Sequence, residues 1–338
     1  MVAFLVAVLL LWLWPAGPFA DLPPRRLPPS VPPLPEVRLP YFQLPPSLTL
    51  CGQPVPLEDP VVREGLDREF TIVVWSRAQT LMWLKRAHRH FPDIQQKIRA
   101  QHLPEDLKYV VLVESDLRLN ARSPAGAAGP WQFMGPTAQR FQLKASEYID
   151  ERLDLGLATD AALAYLKTLY QEFGSWPLAL AAYNVGEGRI RREMALQGVS
   201  DYWRLALPEE TERYVYRVLA AKVVLENPGY YSYDIPPEDL YPPLASEEVV
   251  LTTAQGVTVR GLAEAAGTYY RAFKHLNPWI KGHSLPPGTY RLRVPVGQRA
   301  AFLEAAARGL PAPPAATPET REEKPPAPAK NARPARKK

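Results

Sequence analysis

Over residues 67–229 the apolar side chains recur at steps of three and four residues, and no stretch alternates apolar with polar side chains. The first spacing places apolar side chains on one face of an α-helix, whereas alternation is typical of a half-buried strand. Phe70, Val73, Leu81 and Leu84 form the first such face. The sequence therefore predicts an all-α domain, which makes the chain mainly α.

Prolines and glycines divide this range into separate helices. Phe91-Pro92 is predicted to end the first helix, since a proline inside a helix removes a backbone donor and clashes with the preceding turn. Thr159 or Asp160 is predicted to cap a helix that Gly174 ends. The predicted later helices cover residues 94–101, 104–114, 161–173, 178–184 and 209–227.

The two ends of the chain have a different composition. Residues 1–20 carry no charge and predict a secretory signal peptide; the alternative is an uncleaved anchor that associates the chain with a membrane. The prolines of residues 21–62 predict an extended linker. Residues 311–338 contain little besides proline, alanine and charged residues, which predicts a disordered basic tail.

Charge and cysteine content exclude several functional classes. The 40 Lys and Arg against 35 Asp and Glu give a net charge of +5, which is too low for a dedicated nucleic-acid binder. The single cysteine, Cys51, excludes an intramolecular disulfide and any multi-thiolate metal site. His88 and His90 lack a third ligand nearby, so we expect no metal and no cofactor.

Glu114 follows the apolar run of residues 107–113, and this position suits its carboxyl group to acid–base chemistry. A carboxyl group in an apolar pocket keeps its proton near neutral pH, as the lysozyme acid does, and can donate it to a glycosidic oxygen. Hydrolysis usually needs a second carboxylate. Asp116 is two positions away, and helical geometry directs it to the other side. The pattern favours a reaction with one carboxyl group, in which the sugar supplies the nucleophile; the alternative is a capped or salt-bridged structural carboxylate.

Residues 123–134 form a loop of small residues followed by aromatic and amide side chains. Small residues let a backbone approach a ligand or another chain segment closely. Trp131, Gln132 and Phe133 suit a sugar, which offers an apolar ring face and a rim of hydroxyl groups. The alternative is a packing corner of the fold.

Five blocks of the sequence stand out together. In chain order they are Leu103-Pro104-Glu105-Asp106-Leu107 with Val113-Glu114-Ser115, then Ala121-Arg122-Ser123-Pro124-Ala125-Gly126-Ala127-Ala128-Gly129, Trp131-Gln132-Phe133-Met134, Ala181-Ala182-Tyr183-Asn184-Val185-Gly186-Glu187-Gly188 and Glu210-Thr211-Glu212-Arg213-Tyr214-Val215. These blocks, in the same order, resemble the lytic transglycosylase domain of the soluble-transglycosylase type, close to its membrane-bound D branch. Asp116, Leu117, Pro130 and Gly135 depart from the family pattern beside the acid and the loop.

The resemblance implies a lysozyme-like catalytic domain over residues 63–232 that acts on the glycan strands of peptidoglycan. In this family the bond between N-acetylmuramic acid and N-acetylglucosamine is cut without water and leaves a 1,6-anhydromuramoyl end. Glu114 would act first as general acid and then as base. The substrate-binding residues implied by motif position are Ser115, Gln132, Phe133, Met134, Tyr183, Asn184 and Tyr214.

Residues 245–297 have a separate pattern, which predicts a strand, two short helices and a second strand in that order. Leu276-Asn277-Pro278 and the run from Pro287 to Pro295 resemble a LysM-like peptidoglycan-binding module. The alternative is a degenerate module that only packs on the catalytic domain. The chain as a whole is thus expected to be an exported enzyme of the periplasm or cell envelope. A non-catalytic wall-binding scaffold and a lysozyme-type muramidase are the competing hypotheses.

Overall fold

The computed structural model describes residues 40–313, and every statement about the fold concerns that part of the chain. Chain contacts divide the protein into Met1–Phe42 and Gln43–Lys338, and all helices and strands given below belong to the second unit. The predicted signal at residues 1–20, the first part of the predicted linker and most of the predicted tail lie outside the described residues.

The described chain is mainly helical, which confirms the prediction from apolar spacing. Short 3-10 helices at Glu105–Tyr109, Glu151–Leu153, Tyr202–Arg204, Pro228–Tyr231 and Pro237–Asp239 connect or extend the α-helices. The α-helices of the first domain are α1 (Pro60–Trp75), α2 (Arg77–Ala100), α3 (Val110–Ser115), α4 (Gly135–Arg140), α5 (Leu155–Phe173), α6 (Trp176–Val185), α7 (Glu187–Gln197) and α8 (Glu209–Glu226).

The first helical break lies at Ser76, and the prediction that Phe91-Pro92 breaks a helix is wrong. At Ser76 the freed carbonyl groups of α1 find side-chain donors. The Thr80 hydroxyl donates to Val73 O at 2.7 Å, and the Tyr233 hydroxyl donates to Val74 O at 2.7 Å. These bonds offset the loss of the intrahelical bonds. By contrast, α2 continues through Pro92 without interruption.

Two further helix boundaries differ from the sequence prediction. α5 begins at Leu155 with Asp154 as its N-cap, so the predicted caps at residues 159 and 160 are wrong. Thr159 lies inside the helix, where its hydroxyl is 2.9 Å from the Trp131 indole nitrogen, which donates to it. α7 was not predicted, because its sequence is polar and has little apolar periodicity.

Part of the predicted linker is folded. Residues 49–54 form a two-stranded hairpin, β1 (Thr49–Leu50) and β2 (Gln53–Pro54), and Leu50 is completely buried. The Lys222 ammonium group donates to Thr49 O at 3.0 Å and to the Asp106 carboxylate at 2.7 Å. The helical domain therefore includes a hairpin on its N-terminal side. The hairpin lies within residues that composition alone predicts to be extended.

Packing within the domain brings α3 against α8. α8 also packs along α1 and against α6, which in turn contacts α5 and α7. Val110, Val111 and Leu112 of α3 are fully buried in this core, as are Val215, Val218 and Leu219 of α8. The two helices that carry Glu114 and Tyr214 are thus fixed relative to each other by apolar burial.

The C-terminal module has the predicted order of strand, helix, helix and strand. β3 (Ser246–Thr253) pairs antiparallel with β6 (Gly288–Pro295), and between them lie α9 (Val259–Ala265), α10 (Tyr270–Leu276) and a small pair formed by β4 (Val257–Thr258) and β5 (Ser284–Leu285). A further helix, α11 (Arg299–Arg308), lies beyond the predicted boundary at residue 297, and its Phe302 is fully buried in the module core.

The module packs directly on the helical domain. Asp150 N donates to Trp279 O at 2.8 Å, and Lys281 N donates to Tyr148 O at 2.8 Å. Ala128 and Leu153 of the helical domain belong to the same apolar cluster as Trp279. None of the helices in residues 40–313 combines the length and apolarity that a membrane crossing requires.

Candidate active site

Glu114 lies in the last turn of α3, where the helix leaves the core. Its side chain is half-buried, whereas Ser115, the next residue, is 3% exposed. The helix ends at Asp116, which adopts the left-handed conformation with φ 55°. A non-glycine residue in this region is uncommon and points to a constrained turn. The chain therefore turns sharply away from the axis of α3 directly after Glu114 and Ser115.

Tyr214 of α8 holds the Glu114 carboxyl group. Its hydroxyl donates to Glu114 Oε1 at 2.5 Å, and the tyrosine itself is 2% exposed. Burial raises the pKa of Glu114 from 4.5 to about 7, although the Tyr214 hydrogen bond opposes this rise. A pKa near neutrality suits a group that must both give and accept a proton.

Arg217, which sequence reasoning missed, contributes to the electrostatics of this carboxyl group. Its positive charge lowers the pKa of Glu114, while the Glu210 carboxylate raises it. Arg217 Nη2 donates to Glu210 Oε1 at 2.6 Å, and its Nε is buried without a hydrogen bond to any described residue. Residues 214 and 217 are three positions apart on α8 and so share a helix face. That spacing is the signal from which Arg217 could have been found.

Tyr183 lies close to Glu114, and Phe133 packs against Tyr183. The Tyr183 hydroxyl donates to Trp131 O at 2.8 Å, and its ring meets the Phe133 ring edge-on at 6.4 Å. Burial and the neighbouring Glu114 carboxylate raise the pKa of Tyr183 well above its usual value. α6 therefore lies close to Glu114 through Tyr183, and the loop before α4 packs against the same tyrosine.

The small-residue loop packs against the protein's own backbone. A Cβ atom at Gly129, whose φ is +84°, would lie 1.7 Å from Arg152 O. Ser115 is turned into this loop, because its hydroxyl lies 2.7 Å from Pro130 O and donates to it. Ser115 thus joins α3 to the loop instead of facing a ligand, which differs from the role implied for it.

The remaining predicted residues differ in exposure. Met134 is 43% exposed, whereas Phe133 is buried at 2%. Gln132 is half-buried, and its amide nitrogen donates to Gly129 O at 2.7 Å, so its amide oxygen is the atom available to a ligand. Asn184 is half-buried beside Tyr183 at the end of α6.

Asp116 does not pair with Glu114 as a second catalytic carboxylate. Its Oδ1 accepts hydrogen bonds from Trp83 Nε1 at 2.7 Å and from Gln79 Nε2 at 3.0 Å, both on α2. These bonds hold its carboxylate against α2 and fix the turn after Glu114.

Within residues 40–313, no group of three or more His, Cys, Asp or Glu side chains is arranged to hold a metal ion.

Part of the chain is similar to known proteins. The family model for the transglycosylase SLT domain matches residues 93–205, a range that includes Glu114, Gln132 and Tyr183. This part of the chain is similar to the transglycosylase SLT domain. Tyr214 lies just beyond the matched range. It is the structure, through α8, that places Tyr214 beside the Glu114 carboxylate.

A curated relative and a solved structure are also similar to the chain. It is 32% identical over 205 residues to membrane-bound lytic murein transglycosylase D of Escherichia coli (strain K12); this covers 59% of the chain and 44% of the relative, so the chain spans less than half of the relative's length. The 70 kDa soluble lytic transglycosylase SLT70 of Escherichia coli is 22% identical, with a TM-score of 0.37, over 51% of this chain and 30% of that one.

Proposed function

We propose that this protein is a lytic transglycosylase of the peptidoglycan glycan strand. It cleaves the β-1,4 bond between N-acetylmuramic acid and N-acetylglucosamine and forms a 1,6-anhydromuramoyl product. The observation that carries the proposal is the half-buried Glu114, which accepts the Tyr214 hydrogen bond and has a pKa of about 7. The SLT match over residues 93–205 supports the substrate class.

The reaction uses the carboxyl group twice. Protonated Glu114 donates its proton to the glycosidic oxygen as the bond to C1 breaks. The acetamido group of the same muramic acid stabilises the positive charge at C1. The Glu114 carboxylate then accepts the proton of the C6 hydroxyl as that oxygen attacks C1, which restores the protonated acid.

The site residues take separate roles in this proposal. Tyr214 positions the carboxyl group, and Tyr183, which packs against the buried Phe133 ring, forms an aromatic wall beside it. Met134 offers an exposed apolar surface to a sugar ring. The free amide oxygen of Gln132 and the Asn184 amide suit acetamido and hydroxyl groups.

Product analysis separates this reaction from its two competitors. Purified sacculi digested with the protein are expected to release muropeptides with anhydro ends, lighter by one water molecule than hydrolysed ends in mass spectrometry. Reducing ends would identify a muramidase. Intact glycan would identify a non-catalytic scaffold.

Tyr214→Phe tests the electrostatic coupling at the site. The hydroxyl of Tyr214 lowers the pKa of Glu114, so its removal should raise that pKa above about 7. Since the first step needs the protonated acid, the alkaline limb of kcat/KM should move to higher pH. The control, Tyr290→Phe, removes a hydroxyl that donates to Pro286 O at 2.8 Å in the C-terminal module and should leave the limb in place. An unshifted limb in Tyr214→Phe would contradict the coupling.

We further propose that residues 245–297, with α11, form a LysM-like module that binds the same glycan, on the basis of the β-α-α-β order. An envelope location agrees with a peptidoglycan substrate and with the apolar residues 1–20. Membrane association through residues 1–20 belongs to this proposal as the alternative to signal cleavage.

A further inference from the structure

A cleft of about 1010 Å³ lies between the helical domain and the C-terminal module. Its wall on one side comes from α2 and residues 117–122, and on the other side from α10 and residues 278–281. No aspartate or glutamate of the described chain lines it. The lysines and arginines that line it are Arg86, Arg89, Arg122, Arg271, Lys274 and Lys281, and these residues define the cationic cleft.

The positive charges of the cationic cleft are poorly compensated. Of its lysines and arginines, Arg122 has a carboxylate partner within the described residues, namely Asp150 at 3.2 Å. Lys274 and Lys281 donate to the backbone carbonyls of Lys281 and Ser146. Arg271 is exposed, and its guanidinium group has no hydrogen bond or ion pair to another described residue. By contrast, Arg213 and Arg217 on α8, outside the cationic cleft, each form an ion pair with a carboxylate.

A buried histidine in the wall of the cationic cleft lies within this positive field. His90 is 8% exposed, and its ring makes no hydrogen bond with the described residues. Burial, together with the smaller effects of the charges of Arg89, His275, Arg293 and Arg86, lowers its pKa to about 4. Because such an uncompensated field costs free energy in the unliganded protein, an anion that entered the cleft would be stabilised there.

We propose that the cationic cleft binds the carboxylates of the peptide stems of peptidoglycan, an inference that rests on the proposed function. Leu117 lines the cleft three residues after Glu114, so the two Cα atoms are at most about 11 Å apart. An extended five-residue stem spans roughly 17 Å and can reach from a muramic acid at Glu114 into the cleft. A stem has free carboxylates at its glutamate and at its end, and arginine pairs with carboxylates in a two-pronged geometry.

Binding of a labelled stem peptide to the full chain tests the proposal. The peptide with free carboxylates should bind saturably, and its fully amidated form should bind at least about tenfold more weakly. Arg271→Glu should weaken binding of the free peptide at least about fivefold, and Arg271→Gln somewhat less. The matched control is Arg299→Glu on α11, which makes the same change in charge at an exposed arginine outside the cleft. It should leave the affinity within about twofold.

Several results would overturn the proposal. These are equal binding of the free and amidated peptides, equal affinity in Arg271→Glu and wild type, or binding of inorganic polyphosphate alone. The last result would assign the cleft to a phosphate polymer.

Failure of the proposed function gives a different signature. Glu114→Gln should lose cleavage and keep stem binding, and a wild-type protein that bound stems without cleaving glycan would leave the cleft assignment standing. On substrate, Arg271→Glu should raise KM for intact sacculi but not for glycan strands stripped of their peptides.

Discussion

Glu114→Gln is expected to lower the rate of glycan cleavage by at least about a thousandfold, because the same carboxyl group serves as acid and then as base. Glutamine keeps the shape of the side chain, and its amide oxygen can still accept the Tyr214 hydroxyl that now lies 2.5 Å from Oε1. It cannot donate a proton to the glycosidic oxygen. The measurement is the release of muropeptides from sacculi, with wild-type turnover as the result that would reject Glu114 as the acid.

Loss of activity in this variant should not come from loss of the fold. The folded-state pKa of Glu114, about 7, lies above the unfolded value of 4.5. The protonated group therefore stabilises the fold below about pH 4.5, and that contribution, at most about 3 kcal/mol, is lost as the pH rises through about 7. Glutamine cannot ionise, so the variant should melt no lower than wild type at pH values above 7.

Asp116→Asn is the matched carboxyl-to-amide control. The amide oxygen of asparagine can still accept hydrogen bonds from Trp83 and Gln79, which now reach Asp116 Oδ1 at 2.7 Å and 3.0 Å. Cleavage should stay within about threefold of wild type. A loss as large as that of Glu114→Gln, with the fold intact, would instead favour a reaction that needs two carboxylates.

Apolar periodicity predicted the helical class, but it did not predict the breaks. The carbonyl groups that are freed at the end of α1 need hydrogen-bond donors. Those donors are the hydroxyl groups of Thr80 and Tyr233, and Tyr233 lies far along the chain. The rule that proline ends a helix was wrong at Pro92, where α2 continues. Composition also wrongly assigned residues 49–54 to an extended linker, whereas they form a hairpin. The hairpin depends on the burial of Leu50 against the rest of the fold, which the local sequence does not indicate.

The candidate site was partly accessible from sequence. Motif order identified Glu114 and Tyr214, which are 100 residues apart and share a 2.5 Å hydrogen bond in the fold. Motif position could not distinguish Ser115, which is turned into the loop, from Gln132, which keeps a free amide oxygen. Such directions follow from backbone angles: Gln132 has φ 49°, in a region that residue type alone does not predict.

Gly129→Ala is expected to be the most damaging change outside the carboxyl group itself. An added Cβ would lie 1.7 Å from Arg152 O, and the φ of +84° is unfavourable for alanine. The backbone of the loop would have to move, at a cost of about 3 kcal/mol or more, which corresponds to a fall in melting temperature of about 10 °C. The movement would displace Pro130 O and Trp131 O, which bind Ser115 and Tyr183, so cleavage should fall as well.

Gly126→Ala separates backbone strain from the steric clash. Gly126 lies in the same loop with φ +90°, but a Cβ there would meet nothing within 4 Å. Alanine at this position should cost only the left-handed strain of about 1 kcal/mol, a few degrees in melting temperature. Thermal unfolding of the two variants side by side should therefore show a clear difference. If both variants melted together, strain alone would explain the need for glycine. The close approach of Gly129 to Arg152 would then have no part in holding the loop beside Glu114.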